Sequence, residues 1–158
     1  MSPGRHIRLW LAAFLPLLLA GACSRPVSTE TFIKASRSRD GVYAFPAALT
    51  DSLALYDLYL FARMDCNVWQ FRDFDGVSLA LEWISPSAEA YADTVFLRPG
   101  DVTHSTFFTQ DFRVLYRSDV APKECGDWTI RVEPIGEDSL WVGLRGLGLQ
   151  VIRKDGTR

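Results

Sequence analysis

The sequence predicts an all-β fold: an antiparallel β-sandwich of about seven strands, Ig-like or jelly-roll-like in layout. Three observations carry that expectation. From Gly41 onward, apolar residues recur with period 2 in short runs separated by Pro, Gly and Asp turn residues. No segment holds a 3.6-residue amphipathic pattern long enough to make a helix. Aromatic residues form 13% of the chain, enough large rings to fill the gap of about 10 Å between two facing sheets.

Ahead of the sandwich, Arg5 and Arg8 precede an apolar run from Leu9 to Ala20 that Pro16 interrupts. That run rises only about 18 Å as a helix, too short for a hydrocarbon core of about 30 Å. A basic start, a short apolar centre and small Gly21 and Ala22 before Cys23 describe a lipoprotein signal peptide over residues 1–22. Cleavage there leaves Cys23 as the acylated N-terminus, palmitate or a similar acyl chain providing membrane attachment at about 0.8 kcal/mol per buried methylene. Residues 23–40 then read as this acylated end and a flexible tether. The stretch is rich in Ser, Thr, Arg and Lys, with only Phe32 and Ile33 as large apolar residues. The β-sandwich domain is expected over 41–158.

Within that domain, Leu53 to Met64 is the longest run, with Ala54, Tyr56, Leu58, Leu60 and Ala62 on one face. Its other face, Leu55, Asp57, Tyr59, Phe61 and Arg63, is also partly apolar, which predicts a central strand. Asp75-Gly76 marks a turn before a strand over Val77–Ile84. Ser85 to Ala90, with Pro86, is a connection; Tyr91 to Leu97 is a strand ended by Pro99-Gly100. Phe108, Phe112, Val114 and Tyr116 share a face of the next strand, with Gln110 as the polar exception. Trp128, Ile130 and Val132 alternate with Thr129, Arg131 and Glu133 as a half-buried strand. Ser139 to Arg153 closes the domain, its Gly143, Gly146 and Gly148 predicting a bulge or sharp bend.

Charge narrows the function classes. Removal of residues 1–22 takes Arg5 and Arg8 but no acid, leaving 15 basic against 19 acidic residues. A mildly acidic surface has no reason to seek nucleic acid or anionic headgroups.

This layout resembles the gliding-motility lipoprotein GldH family of Bacteroidetes. The resemblance rests on the lipobox cysteine, on Leu55-Tyr-Asp-Leu-Tyr-Leu-Phe-Ala-Arg63 and on Val77-Ser-Leu-Ala-Leu-Glu-Trp83. Pro86 and the Asp93-Thr94 pair, Gly126-Asp-Trp-Thr-Ile-Arg-Val-Glu133 and Leu144-Arg-Gly-Leu-Gly-Leu-Gln-Val-Ile-Arg153 extend it over roughly residues 40–153. Pro86-Ser87-Ala88 stands where such sequences carry Pro-Asn-Gly, and Cys66 and Cys125 are not family features. The resemblance implies a non-enzymatic lipoprotein of a cell-envelope gliding-motility and secretion machinery, with an envelope protein as partner.

Four other constellations contain residue types capable of chemistry or crosslinking. His104, beside Asp101 and Thr103, is the sole histidine after cleavage and lacks the companions a zinc site needs, so it reads as a solvated loop residue. Asp73-Phe74-Asp75-Gly76 lacks the twelfth-position glutamate of a calcium loop, where Ile84 stands. Gly143 to Gly148 lies within a strand rather than between a strand and a helix, unlike a phosphate loop. No metal or cofactor is expected. Cys66 and Cys125, each just outside a strand, form a candidate disulfide, with two separate half-buried thiols as the alternative. Trp83 and Trp128 are expected in the core, while Trp69, Phe71 and Trp141 are candidates for an exposed partner or ligand surface.

Three functions remain in contention. The first is a lipid-anchored interaction subunit, not an enzyme. The second is a lipid-anchored carbohydrate- or glycan-binding β-sandwich. The third, a small hydrolase, would need a pocket uniting His104 with Asp101 or Asp111. Ser24 after the lipidated cysteine fits transfer to the outer membrane, and no acidic cluster follows to direct export, so a periplasm-facing placement is expected.

Overall fold

The computed structural model describes residues 28–136 and 143–154. Nine strands appear in chain order: β1 (Ser28–Lys34), β2 (Tyr43–Leu49), β3 (Leu55–Asp65), β4 (Val77–Ile84), β5 (Ala90–Leu97), β6 (Val102–Ser105), β7 (Thr109–Val120), β8 (Gly126–Ile135) and β9 (Leu144–Lys154). One short helix, α1 (Val68–Arg72), follows β3, and single 3-10 turns precede β2 and β6. The strands form two antiparallel sheets, one in the order β1-β9-β3-β7-β6 and one in the order β2-β8-β4-β5. The all-β sandwich is therefore the observed architecture, with nine strands among the described residues rather than about seven.

Alternation builds the core. Along β2, Tyr43, Phe45, Ala47 and Leu49 are buried while Ala44, Pro46 and Ala48 are exposed. Pro46, which cannot donate to a ladder, sits on a strand at the edge of its sheet. Inward rows from β3 (Tyr56, Leu58, Leu60, Ala62) and β4 (Val77, Leu79, Leu81) meet Trp128, Ile130 and Val132 of β8 and Leu147, Leu149 and Val151 of β9. Full burial of each Leu, Ile or Phe stabilises the fold by about 1.5–3 kcal/mol. These facing rows are therefore the main source of stability.

The polar exception on β7 keeps the period: Gln110 is fully buried, its Nε2 donating to Thr106 O at 3.2 Å across the β6–β7 hairpin. Phe108 does not join Phe112 on the inner face. It stands exposed in the turn before β7.

The segment expected as a tether is shorter than the sequence suggested. Ser28–Lys34 pairs along its whole length with β9, from Ser28 opposite Ile152 to Lys34 opposite Gly146. Its side chains are mostly exposed, so backbone pairing, not burial, recruits it to the sheet edge. Two glycines prepare that place. Phe32 and Phe61 face Gly148 from either side, and their rings run nearly parallel at 11° with centroids 6.0 Å apart. A Cβ on Gly148 would fall 2.1 Å from the Phe61 ring, and one on Gly146 would fall 2.6 Å from the Phe32 ring. Bare backbone on β9 thus lets two rings lie over the outer face of the sheet.

The expected irregularity in the last strand is present near its start. Arg63 faces Gly146 but Met64 faces Leu144, so Arg145 is an extra residue on β9. Before it, Gly143 adopts φ +98°, and a Cβ there would stand 2.1 Å from the carbonyl oxygen of Asp65. The part of the expected strand before Gly143 lies outside the described residues. Asp75-Gly76 precedes β4 as expected, yet it joins strands of different sheets rather than closing a hairpin.

The turn over 50–54 carries the chain from β2 in one sheet to β3 in the other, so Leu49, Leu55, Val120 and Gly126 share one end of the sandwich. Ser28, opposite Ile152 and hence beside Asp57, lies there too. Asp65, Thr109 and Leu144 mark the far end. This placement overturns the candidate disulfide. Cys66 follows β3 at the far end, while Cys125 precedes β8 at the end where the chain enters. The length of β3, roughly 30 Å or more at about 3.3 Å per residue, lies between them. Both are free thiols, and burial, helped by the neighbouring Asp65 charge, pushes the Cys66 thiol up from its ordinary value.

Two outcomes follow. Mass spectrometry of the non-reduced, alkylated protein will find Cys66 and Cys125 both modified and no peptide pair linking them. The Gly143→Ala variant, strained at positive φ and crowded against Asp65, will lose roughly 2 kcal/mol or more in urea unfolding.

Candidate functional site

At the entry end, the β5 side of the sandwich opens into a cleft of about 340 Å³. Its floor comes from strand alternation. Trp83 closes the inner row of β4, and Trp128 opens that of β8. The two rings meet edge to face at 6.0 Å, and Tyr91 of β5 lies 6.2 Å from Trp128. Pro122 and Lys123, in the β7–β8 connection, form the opposite wall. Trp128 is fixed by donating from Nε1 to Glu124 O at 3.0 Å. The Lys123 ammonium stands over the Tyr91 ring at 5.6 Å, a cation–π contact of about 0.5–1 kcal/mol at an exposed position.

A polar chain stitches the two sheets together beside this cleft. Trp83 Nε1 donates to Tyr116 Oη at 2.7 Å, and Tyr116 donates onward to Asp93 Oδ2 at 2.7 Å. Arg117 donates to the same carboxylate oxygen. Asp93 Oδ1 accepts the Thr94 backbone N–H at 2.8 Å. Trp83 and Asp93 belong to the four-stranded sheet, and Tyr116 and Arg117 to the five-stranded one. The chain therefore spans the seam between the layers.

Its electrostatics follow from position. Burial works to raise the Asp93 carboxyl, but hydrogen bonds from Tyr116, Arg117 and Thr94, with the Arg117 charge, hold it below its ordinary value. Burial, reinforced by the bond to Asp93, pushes Tyr116 up to about 12. At neutral pH Asp93 is thus an anion and Tyr116 keeps its proton, a fixed arrangement suited to orienting groups rather than to exchanging protons.

The sequence-derived candidates fare unevenly. Cys23 and Trp141 lie outside the described residues. Trp69 falls in α1, and nothing of its side chain is described. Phe71 is corrected: it does not offer an open surface. It packs inward at the far end, 5.6 Å from Phe74 and 6.1 Å from Phe112, and belongs to the fringe of the core. Trp83 and Trp128 do join the inner rows, with Trp83 half-buried at the cleft. His104 is exposed on β6, and Asp111 is bound by Arg63 through bonds of 2.7 and 2.8 Å. Among the described residues no group of three or more His, Cys, Asp and Glu could hold a metal ion. No helix among them is long and apolar enough to cross a membrane.

Sequence reasoning missed Tyr91, Asp93, Tyr116 and Arg117 as a site. Only Trp83 and Trp128, each at the entry-end limit of an alternating row, signalled that aromatic surface collects there. It also missed a second exposed feature. Phe107 and Phe108 occupy the tip of the β6–β7 hairpin at the far end, 54% and 68% exposed, with ring centroids 4.7 Å apart.

No known family model matches the chain, and no curated protein matches it. Among solved structures, a Sulfurospirillum deleyianum protein is similar over 84% of this chain and 100% of its own, at 12% identity and a TM-score of 0.36. Dimeric latent PorU from Porphyromonas gingivalis is similar over 85% of this chain at 8% identity and a TM-score of 0.39. The chain spans 13% of that PorU chain.

The stitched seam makes a definite forecast. Tyr116→Phe leaves Trp83 Nε1 and Asp93 short of a partner and will destabilise the fold by about 1–3 kcal/mol. In the parent protein, the folded pKa of Asp93 lies below its unfolded value. Its contribution holds at neutral pH and fades as pH falls through the folded value. The folded pKa of Tyr116 lies above its ordinary 10.0, so its contribution is full below that pH and fades as pH rises through about 12. Chemical denaturation across pH will show both flanks in the parent protein, with the alkaline one shallower in Tyr116→Phe, where only the other raised groups, Tyr43, Tyr91 and Cys66, still contribute.

Proposed function

We propose that the protein is an outer-membrane lipoprotein, anchored through Cys23 and facing the periplasm, that acts as a non-enzymatic interaction component of a gliding-motility and secretion machinery. The observation that carries the reading is the Phe107–Phe108 pair. Two large rings exposed together on a tight hairpin tip leave water at considerable gain when seated in an apolar pocket. The tip stands at the end opposite Ser28, where the chain enters the sandwich. With the lipid upstream of Ser28, the tip points away from the membrane that holds the anchor and toward a protein partner. The lipobox around Cys23 and the resemblance of residues 40–153 to the GldH family supply the membrane and the machinery.

The test is crosslinking of the intact lipoprotein in its own cells, followed by identification of the joined proteins. Envelope components of the gliding or secretion assembly are expected. The double variant Phe107→Ala, Phe108→Ala will lose those crosslinks while its unfolding free energy stays within about 0.5 kcal/mol. Recovery of no such component, or crosslinks unaltered in the double variant, would overturn the reading.

A further inference from the structure

We infer that the entry-end cleft is a binding site for a neutral sugar residue, seated against Tyr91 and Trp83 and held at its hydroxyls by Asp93, Arg117 and Lys123. This goes beyond the docking role and does not depend on it, since the two features stand at opposite ends of the sandwich.

The shape and chemistry of the cleft support that ligand. A pyranose has an apolar C–H face and a rim of hydroxyls that both donate and accept. The cleft offers aromatic surface from Trp83, Tyr91 and Trp128, with charged groups of both signs around it. Asp93 is kept ionised and immobile by three hydrogen bonds, from Tyr116, Arg117 and the Thr94 backbone. Arg117 carries five N–H donors, more than its bond to Asp93 consumes. Lys123 stands over the Tyr91 ring, where its ammonium also reaches the mouth. The groups are pre-oriented, because Tyr116, Trp83 and Trp128 are each pinned by a hydrogen bond. A pre-formed apolar cleft with few fixed polar groups is the usual form of a small-molecule site.

The charge balance selects against other ligands. Around the cleft, Asp93, Glu89 and Glu124 face Arg117 and Lys123; Tyr91 donates to Glu89 and feels the Glu124 charge. That slightly acidic sum gives an anionic headgroup or sugar acid no net attraction. An extended peptide adding to the β5 edge meets a donor already filled, because Asp93 Oδ1 holds the Thr94 N–H. A neutral polyol with an apolar face satisfies both the rings and the mixed charges.

The experiment titrates the full lipoprotein in detergent micelles with methyl glycosides of glucose, galactose, mannose and N-acetylglucosamine. The readouts are tryptophan fluorescence and indole N–H signals in NMR spectra. At least one glycoside is expected to give saturable changes confined to the Trp83 and Trp128 signals. Tyr91→Ala will weaken that binding by about tenfold and Lys123→Ala more modestly, with far-UV circular dichroism spectra unchanged. Leu115→Ala, on the outer face of the other sheet, will bind as the parent does. No saturable change with any of the four glycosides, undiminished binding in Tyr91→Ala, or tighter binding of anionic phosphatidylglycerol vesicles at the same indole signals would overturn the inference. Loss of the docking partner alone would leave it standing.

Discussion

Strand β3 must satisfy two edges and two faces at once, and most of the architecture answers that demand. Both edges are paired, to β9 and to β7, so its backbone groups are consumed in ladders. Its inner row enters the core, and a slip of one residue would turn Leu58 and Leu60 outward and bring Asp57 and Tyr59 in. Its outer row is only partly polar, and the neighbours adapt to it. Phe61 lies over Gly148, Tyr59 receives the Arg113 guanidinium at 4.6 Å, and Arg63 holds Asp111 in a two-pronged bond. The glycines of β9 are therefore part of how the central strand is accommodated.

The seam between the sheets is managed differently. β6 is short and pairs only near the start of β7, so the second half of β7 faces the β5 edge without a strand between. Hydrogen bonds from Trp83 through Tyr116 to Asp93, with Arg117, close that gap with polar groups instead of aliphatic ones. Such a closure is directional, so it fixes the spacing of the two layers where a greasy contact would allow sliding. It also leaves beside it the aromatic hollow that gives this end of the molecule its chemical character.

What the sequence revealed follows from what kind of force shapes each element. Strands β3, β4, β5 and β8 were legible because burial on one face writes alternation into the residues. β2 was hidden by the opposite cause: Ala44, Pro46 and Ala48 are apolar although exposed, so no contrast marks Tyr43, Phe45 and Leu49. β1 was hidden because pairing with β9, not burial, holds it, and backbone pairing leaves little trace in composition. Phe71 looked like surface within a short polar connection, yet α1 folds it onto Phe112. The cleft was legible only in its tryptophans. Asp93 and Arg117 are 24 positions apart, and nothing local to either announces that sheet packing will bring them together.

The docking of β1 onto β9 has a mechanical consequence. Since β1 begins at Ser28, five peptide steps separate it from Cys23, a reach of at most about 18 Å. That is roughly half the length of β3 at about 3.3 Å per residue. A lipid on Cys23 would therefore restrict the body to a narrow layer above the bilayer, its long axis free to lean but not to drift. Whatever it meets must come to that layer.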